Sequence, residues 1–141
     1  MSAFLLALAL AAGQQAPVPK DTVPYFVSPA MTRAGNLPNA TDTFSAIVKC
    51  NGLPPSTYMV VVLVQSATDL TGTNCYVAQN IVVGKDGSLT ARAIADSAED
   101  FPLDGAGIYY ATPHLIDQCN CDEYWGTRIQ VRTQRLAPVG K

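Results

Sequence analysis

The sequence is poor in charge: 14% of its 141 residues are charged, against roughly a quarter in ordinary soluble domains. The 9 basic and 11 acidic side chains leave a net charge of −2, and no cluster of Lys and Arg is present to follow a phosphate backbone, which excludes nucleic acid as a partner. A single histidine, His114, and a single tryptophan, Trp125, are available. Any serine or cysteine triad would need His114, yet no G-x-S-x-G turn accompanies it, so it reads as structural and no catalytic residue is assigned. No apolar run reaches the ~20 residues that a membrane helix requires, and no long stretch follows the 3.6-residue period of a helix.

What is present is β texture. From Asp42 onward, runs of Val, Ile, Thr and Tyr alternate with Gly, Pro, Asn and Asp turns, predicting strands over Thr43–Cys50, Thr57–Ser66, Cys75–Val83, Ser88–Asp96, Gly107–Pro113 and Tyr124–Gln134. The run Tyr58 to Val64 is apolar on both faces, the mark of a central strand covered on each side, in one case by another subunit. Lys85-Asp86-Gly87-Ser88 reads as a hairpin turn, because Gly87 supplies the positive φ of a tight turn. The last strand directs Ile129 and Val131 inward and Arg128, Gln130 and Arg132 outward. Six short strands in about 100 residues fit an all-β immunoglobulin-like or jelly-roll sandwich over residues 42–141, with one strand fewer than such a fold usually carries.

The residues before it divide in two. Residues 17–41 carry Pro17, Pro19, Pro24, Pro29 and Pro38 and are expected as an extended linker, since proline disfavours helix and central strand alike, with Tyr25-Phe26-Val27 as a candidate short strand within it. Residues 1–16 admit two readings. As a secretory signal, Phe4 to Ala12 has the length of the apolar core, but no Lys or Arg precedes it. As a strand, Phe4, Leu6, Leu8 and Leu10 fall on one side and Ala7, Ala9 and Ala11 on the other, a one-faced apolar strand suited to insertion beside another sheet. Retention as a strand is the reading adopted.

Four cysteines, Cys50, Cys75, Cys119 and Cys121, suggest two disulfides in an oxidising compartment. Their spacing is unlike that of zinc sites. Cys119 and Cys121 are too close in sequence to bridge without strain, and alternating strands would place Cys50 beside the 119–121 loop and Cys75 at the opposite end. The sequon Asn39-Ala40-Thr41 offers a glycan acceptor, and glycans would help solvate a surface so poor in charge. The acidic stretch Asp96 to Asp104 and the group Asp117, Asp122 and Glu123 lack the alternation of a calcium loop and are expected as solvated loops, so neither metal nor cofactor is assigned. Tyr109, Tyr110, Tyr124 and Trp125 are expected in the core, the rival being a sugar-stacking platform.

An alternating apolar N-terminal strand, a Pro-rich spacer and a cysteine-bearing sandwich together resemble the donor-strand-assembled subunits of extracellular fibres such as pili. The resemblance implies a non-enzymatic, extracellular or cell-surface filament subunit whose partners are copies of itself, with Phe4, Leu6, Leu8 and Leu10 at the subunit interface. The C-terminal residues Leu136 to Lys141 depart from the alternating aromatic ending of chaperone-assembled pilins. A weaker likeness, over Val82 to Ala93, is to the secreted neocarzinostatin-type sandwiches. The alternative function is a monomeric secreted module that binds carbohydrate or a small ligand, with residues 1–16 removed.

Overall fold

The computed structural model describes residues 22–135. Phe4, Leu6, Leu8 and Leu10 lie outside the described residues. Eight strands follow in order: β1 (Tyr25–Ala34), β2 (Thr41–Cys50), β3 (Ser56–Ser66), β4 (Asp69–Val83), β5 (Leu89–Asp96), β6 (Ile108–Asp117), β7 (Glu123–Trp125) and β8 (Ile129–Arg135). The pairing runs β4-β3-β6-β8-β1-β2-β5, with β7 added to β6. β8 joins two layers: Ile129 to Arg132 pair antiparallel with β6, and Thr133 to Arg135 pair parallel with β1. One layer is therefore β4-β3-β6 with β7, the other β1-β2-β5, and the chain is an all-β sandwich. The second strand pairs with the fifth, and the third with the sixth, the immunoglobulin-like arrangement.

Alternation builds the core. β2 buries Asp42, Phe44, Ala46, Val48 and Cys50; β5 buries Leu89, Ala91, Ala93 and Ala95; β3 buries Tyr58, Val60, Val62 and Val64; β6 buries Tyr109, Ala111 and Leu115. These inward residues form one continuous cluster. One layer contributes mainly alanine and the other bulky side chains, the large-against-small matching that fills the space between two sheets.

Two expectations change. Residues 25–34, inside the stretch expected as a linker, form β1, a ten-residue strand paired with β2. Its prolines are accommodated outside the ladder: Pro29 sits where the register shifts between Val27 and Ala30, a bulge that needs no N–H from it, and Pro38 lies in the β1–β2 turn. The turn at Lys85 to Ser88 is not a hairpin. Gly87 has the positive φ expected, +70°, but β4 pairs with β3 and β5 with β2, so the turn carries the chain from one layer to the other. It docks on the β2–β3 loop through Leu53 N–H to Gly87 O, 3.0 Å.

One end of the sandwich is closed by a buried polar network. Arg33 donates through Nε to Asp42 Oδ1 (2.7 Å), and through Nη2 to Asp42 Oδ2 (2.8 Å) and the Asp104 carbonyl (2.7 Å). Tyr109, at the start of β6, accepts the Asp104 N–H at 2.8 Å and donates to Asp42. This is the tyrosine corner of immunoglobulin-like folds, which ties the strand to the connection that precedes it. Asp104 in turn accepts from Ser66 (2.7 Å), Thr68 and the Ala106 N–H (2.7 Å). Asp104 and Asp117 are both buried, so two carboxylates expected in solvated loops serve as internal acceptors. Asp117 takes a hydrogen bond from Ser56 at 2.6 Å and from the Cys119 N–H at 2.9 Å.

Candidate interaction surface

The outer face of the β1-β2-β5 layer suits water. Across it run Thr32, Thr43, Ser45, Lys49, Thr90 and Arg92, with Tyr25, Val27, Ala30, Ile47 and Ile94 as its apolar members. Where the β1 bulge opens, an open hollow of about 240 Å³ is lined by Val27, Ser28, Ser45, Ala46, Ile47 and Arg92.

The outer face of the other layer is different. Cross-strand register places its residues in rows: Asn80, Met59, Ile116 and Glu123; then Val77, Val61, His114 and Trp125; then Cys75, Leu63 and Thr112; then Gln65, Tyr110 and Gln130. Directly opposed residues share a face, so Met59, Val61, Leu63, Val77 and Ile116 make an apolar field across three strands. The field is open to solvent at its β4 and β7 flanks, where Val77 and Trp125 are each 50% exposed and Val82, opposite Thr57, is 79% exposed, whereas Val61 at its centre is buried and Met59, Leu63 and Ile116 are half-buried. The both-sided apolarity expected of the Tyr58–Val64 strand is thus observed, with the sandwich core on one side and this field on the other.

Trp125 is held rigidly at one margin. Its indole stacks on the His114 imidazole with ring centroids 3.6 Å apart and planes at 12°. His114 Nε2 lies 2.9 Å from Glu123 Oε1, and His114 itself is buried. β7 exists to make this arrangement: Glu123 and Trp125 flank Tyr124, which turns inward and meets Tyr58 edge to face at 6.1 Å. Burial raises the Tyr58 and Tyr124 phenols, and the nearby carboxylates of Asp117 and Asp122 add to it, so both stay neutral. Gly126 then lets the chain leave β7, because a Cβ there would collide with the Pro24 carbonyl and the Pro113 ring. At the far margin Arg128 lies over the Tyr110 ring, 4.2 Å from its centroid, a cation–π contact.

The aromatics expected in the core therefore divide. Tyr109 is buried and Tyr124 half-buried against the core, whereas Trp125 is exposed and Tyr110 faces outward. The cysteines are not joined by disulfides: Cys75, Cys119 and Cys121 are exposed, and Cys50 is buried with its thiol donated to the Thr22 carbonyl at 2.9 Å. Register explains part of this. Cys75 stands level with Thr112, whereas the 119–121 loop begins after Asp117, at least five residues or ~17 Å further along β6 and beyond the reach of a bridge. Asn39 is exposed in the β1–β2 turn, away from the apolar field. Among the described residues no group of three or more metal-ligating side chains is gathered, and no helix is long and apolar enough to cross a membrane.

Sequence reasoning missed the His114–Trp125 stack and the network around Arg33. The first depends on β7, a three-residue strand too short to show a period. A signal for the second existed in the Asp-Gly-Ala-Gly turn two residues before Tyr109. No family model matches the chain, and comparison with curated proteins and with solved structures finds no match.

Proposed function

We propose that the protein is a non-enzymatic structural subunit of an extracellular, glycosylated filament, assembling with copies of itself through its N-terminal apolar strand. The observation that carries this reading is the outer edge of β4, a fifteen-residue strand that ends the pairing order among the described residues and lies beside the apolar field. A long strand that ends a sheet is a template for another strand, and Phe4, Leu6, Leu8 and Leu10 form an alternating stripe of the matching kind. The mode differs from that implied by the pilus resemblance in one respect. β8 already lies between β6 and β1, the position a donated strand would occupy in an incomplete sandwich, so the incoming strand adds to an edge. Edge addition of this type is head-to-tail, and it propagates as a filament where the rotation between subunits does not close a ring. A glycan on Asn39 would stand in the opposite layer and leave the edge clear.

The test is removal of residues 1–12. The full chain should sediment as polymers and form filaments under the electron microscope, and the shortened chain should remain a small species. Filaments that persist without residues 1–12 would refute this mode of assembly. A second reading is favoured by one observation: Trp125, stacked on His114 and half exposed, is a surface on which a sugar ring could rest. That monomeric module would show saturable binding to an oligosaccharide, abolished by Trp125→Ala.

A further inference from the structure

We infer that the outer face of the β4-β3-β6-β7 layer is a symmetric contact between two copies of this chain, distinct from the strand addition proposed above. The inference rests on the reading that the chain assembles with itself, and it names a second surface by which it does so.

The size suits a modest contact. Three strands of about nine residues and the short β7, at ~4.8 Å spacing and ~3.4 Å rise, give on the order of 500 Å² per face, or about 1,000 Å² in total, at the lower bound for a specific interface. The centre is apolar and the charges stand at the margin, as in stable contacts. Trp125 is a rigid aromatic anchor, locked by its stack on His114, of the kind that carries binding energy.

Charge complementarity selects a copy of the same face as the occupant. Glu123 belongs to the row of Met59 and Ile116, and Arg128 lies over Tyr110, three rows away. Consider a two-fold axis between the faces, perpendicular to the strands, passing midway between the Val61 and Leu63 rows. It exchanges the outermost of these rows and keeps each side of the sheet over itself. Glu123 of one copy then meets Arg128 of the other, and symmetry makes the pair twice. The same rotation sets Val77 of one copy over the Cys75 row of the other. Polymerisation by the β4 edge with pairing by this face would give a two-stranded filament from one kind of subunit.

The experiment uses the full chain carrying Cys119→Ser and Cys121→Ser, so that Cys75 is the exposed thiol that reacts. A short bismaleimide should capture a Cys75-to-Cys75 dimer, and adding Val77→Glu should lower its yield and weaken pairing in sedimentation about tenfold or more, as loss of a central contact does. Ile94→Glu, an equal change on the opposite face, should leave both unaltered, with circular dichroism confirming that each variant is folded. Equal capture with Val77→Glu, equal loss with Ile94→Glu, or a Cys75 thiol that resists the reagent because residues 1–21 or another ligand cover it would each overturn the inference. Removal of residues 1–12 separates the two proposals: strand addition fails if polymers survive it, and the face contact fails if Val77→Glu leaves the captured dimer unchanged.

Discussion

Two regions of this molecule reverse the usual partition of polar and apolar groups, and they do so with opposite consequences. At one end of the sandwich Arg33, Asp42, Asp104 and Tyr109 are buried, yet each has partners within the chain. On the outer face of the β4-β3-β6-β7 layer Val77, Val82 and Trp125 stand in solvent. A buried polar group fully satisfied from within specifies the fold, whereas an apolar field left open contributes little to the fold and points to a partner. Mutation should separate these two roles cleanly.

The largest effect belongs to the ion pair. Asp42→Ala leaves the Arg33 guanidinium buried without its bidentate acceptor and should cost about 3–5 kcal/mol, the range for breaking a buried pair from one side. Urea unfolding would read this as a large fall in midpoint. Replacing Arg33 and Asp42 together by Met and Leu should recover much of the loss, because an apolar pair of similar volume leaves no charge stranded. If the double variant is as unstable as Asp42→Ala, the network does more than satisfy its own charges.

Tyr109→Phe tests the corner alone. It removes an acceptor from the Asp104 N–H and a donor from Asp42, and should cost about 1–3 kcal/mol, since buried partners are left unmade. The ring would remain against Phe101, whose centroid lies 5.4 Å away, so the unfolding transition should stay cooperative.

How far these regions could be read in advance depends on the range of the signal. Alternation is local, and it located the strands β2, β3, β5 and β6 to within a few residues. Only the first residues of β1, Tyr25 to Val27, were legible as a strand; the rest was hidden by Pro29 and Pro38, which read as linker until a bulge and a turn are seen to absorb them. The open face was half legible, because Tyr58 to Val64 is apolar on both sides, but its Trp125 margin depends on a pairing of three residues. The Arg33 network was hard to read for a different reason: it joins residues 71 apart in sequence, and the Asp-Gly-Ala-Gly turn before Tyr109 marks only one side of it. Register holds Cys75 away from the 119–121 loop, as alternating strands lead one to expect, and an even cysteine number says nothing about such distances.

Acid sharpens the comparison from the polar side. Burial would raise the carboxyls of Asp42 and Asp104, but hydrogen bonds from Arg33, Tyr109 and Thr133 to the first, and from Ser66, Thr68 and the Ala106 N–H to the second, hold both below the ordinary aspartate range. A carboxyl depressed in the folded state contributes stability that is complete above its unfolded value, near pH 4, and is lost as pH falls through the folded one. Stability should therefore decline below about pH 4, and Asp42→Asn should flatten that decline. Equal acid sensitivity in the Asn variant would assign it to other carboxylates.

The smallest effect is the most informative about the apolar face. Val82 is 79% exposed and lies opposite Thr57 on β4, so Val82→Lys removes almost no buried surface and should change the unfolding free energy of the isolated subunit by less than about 0.5 kcal/mol. Thermal midpoints at low concentration, where subunits are apart, should coincide with those of the natural chain. At high concentration the natural chain alone should gain, because association stabilises only the folded state that associates. A Val82→Lys variant that is less stable even when dilute would mean that the exposed face supports the monomer's own fold, and the contrast between the two regions would lose its basis.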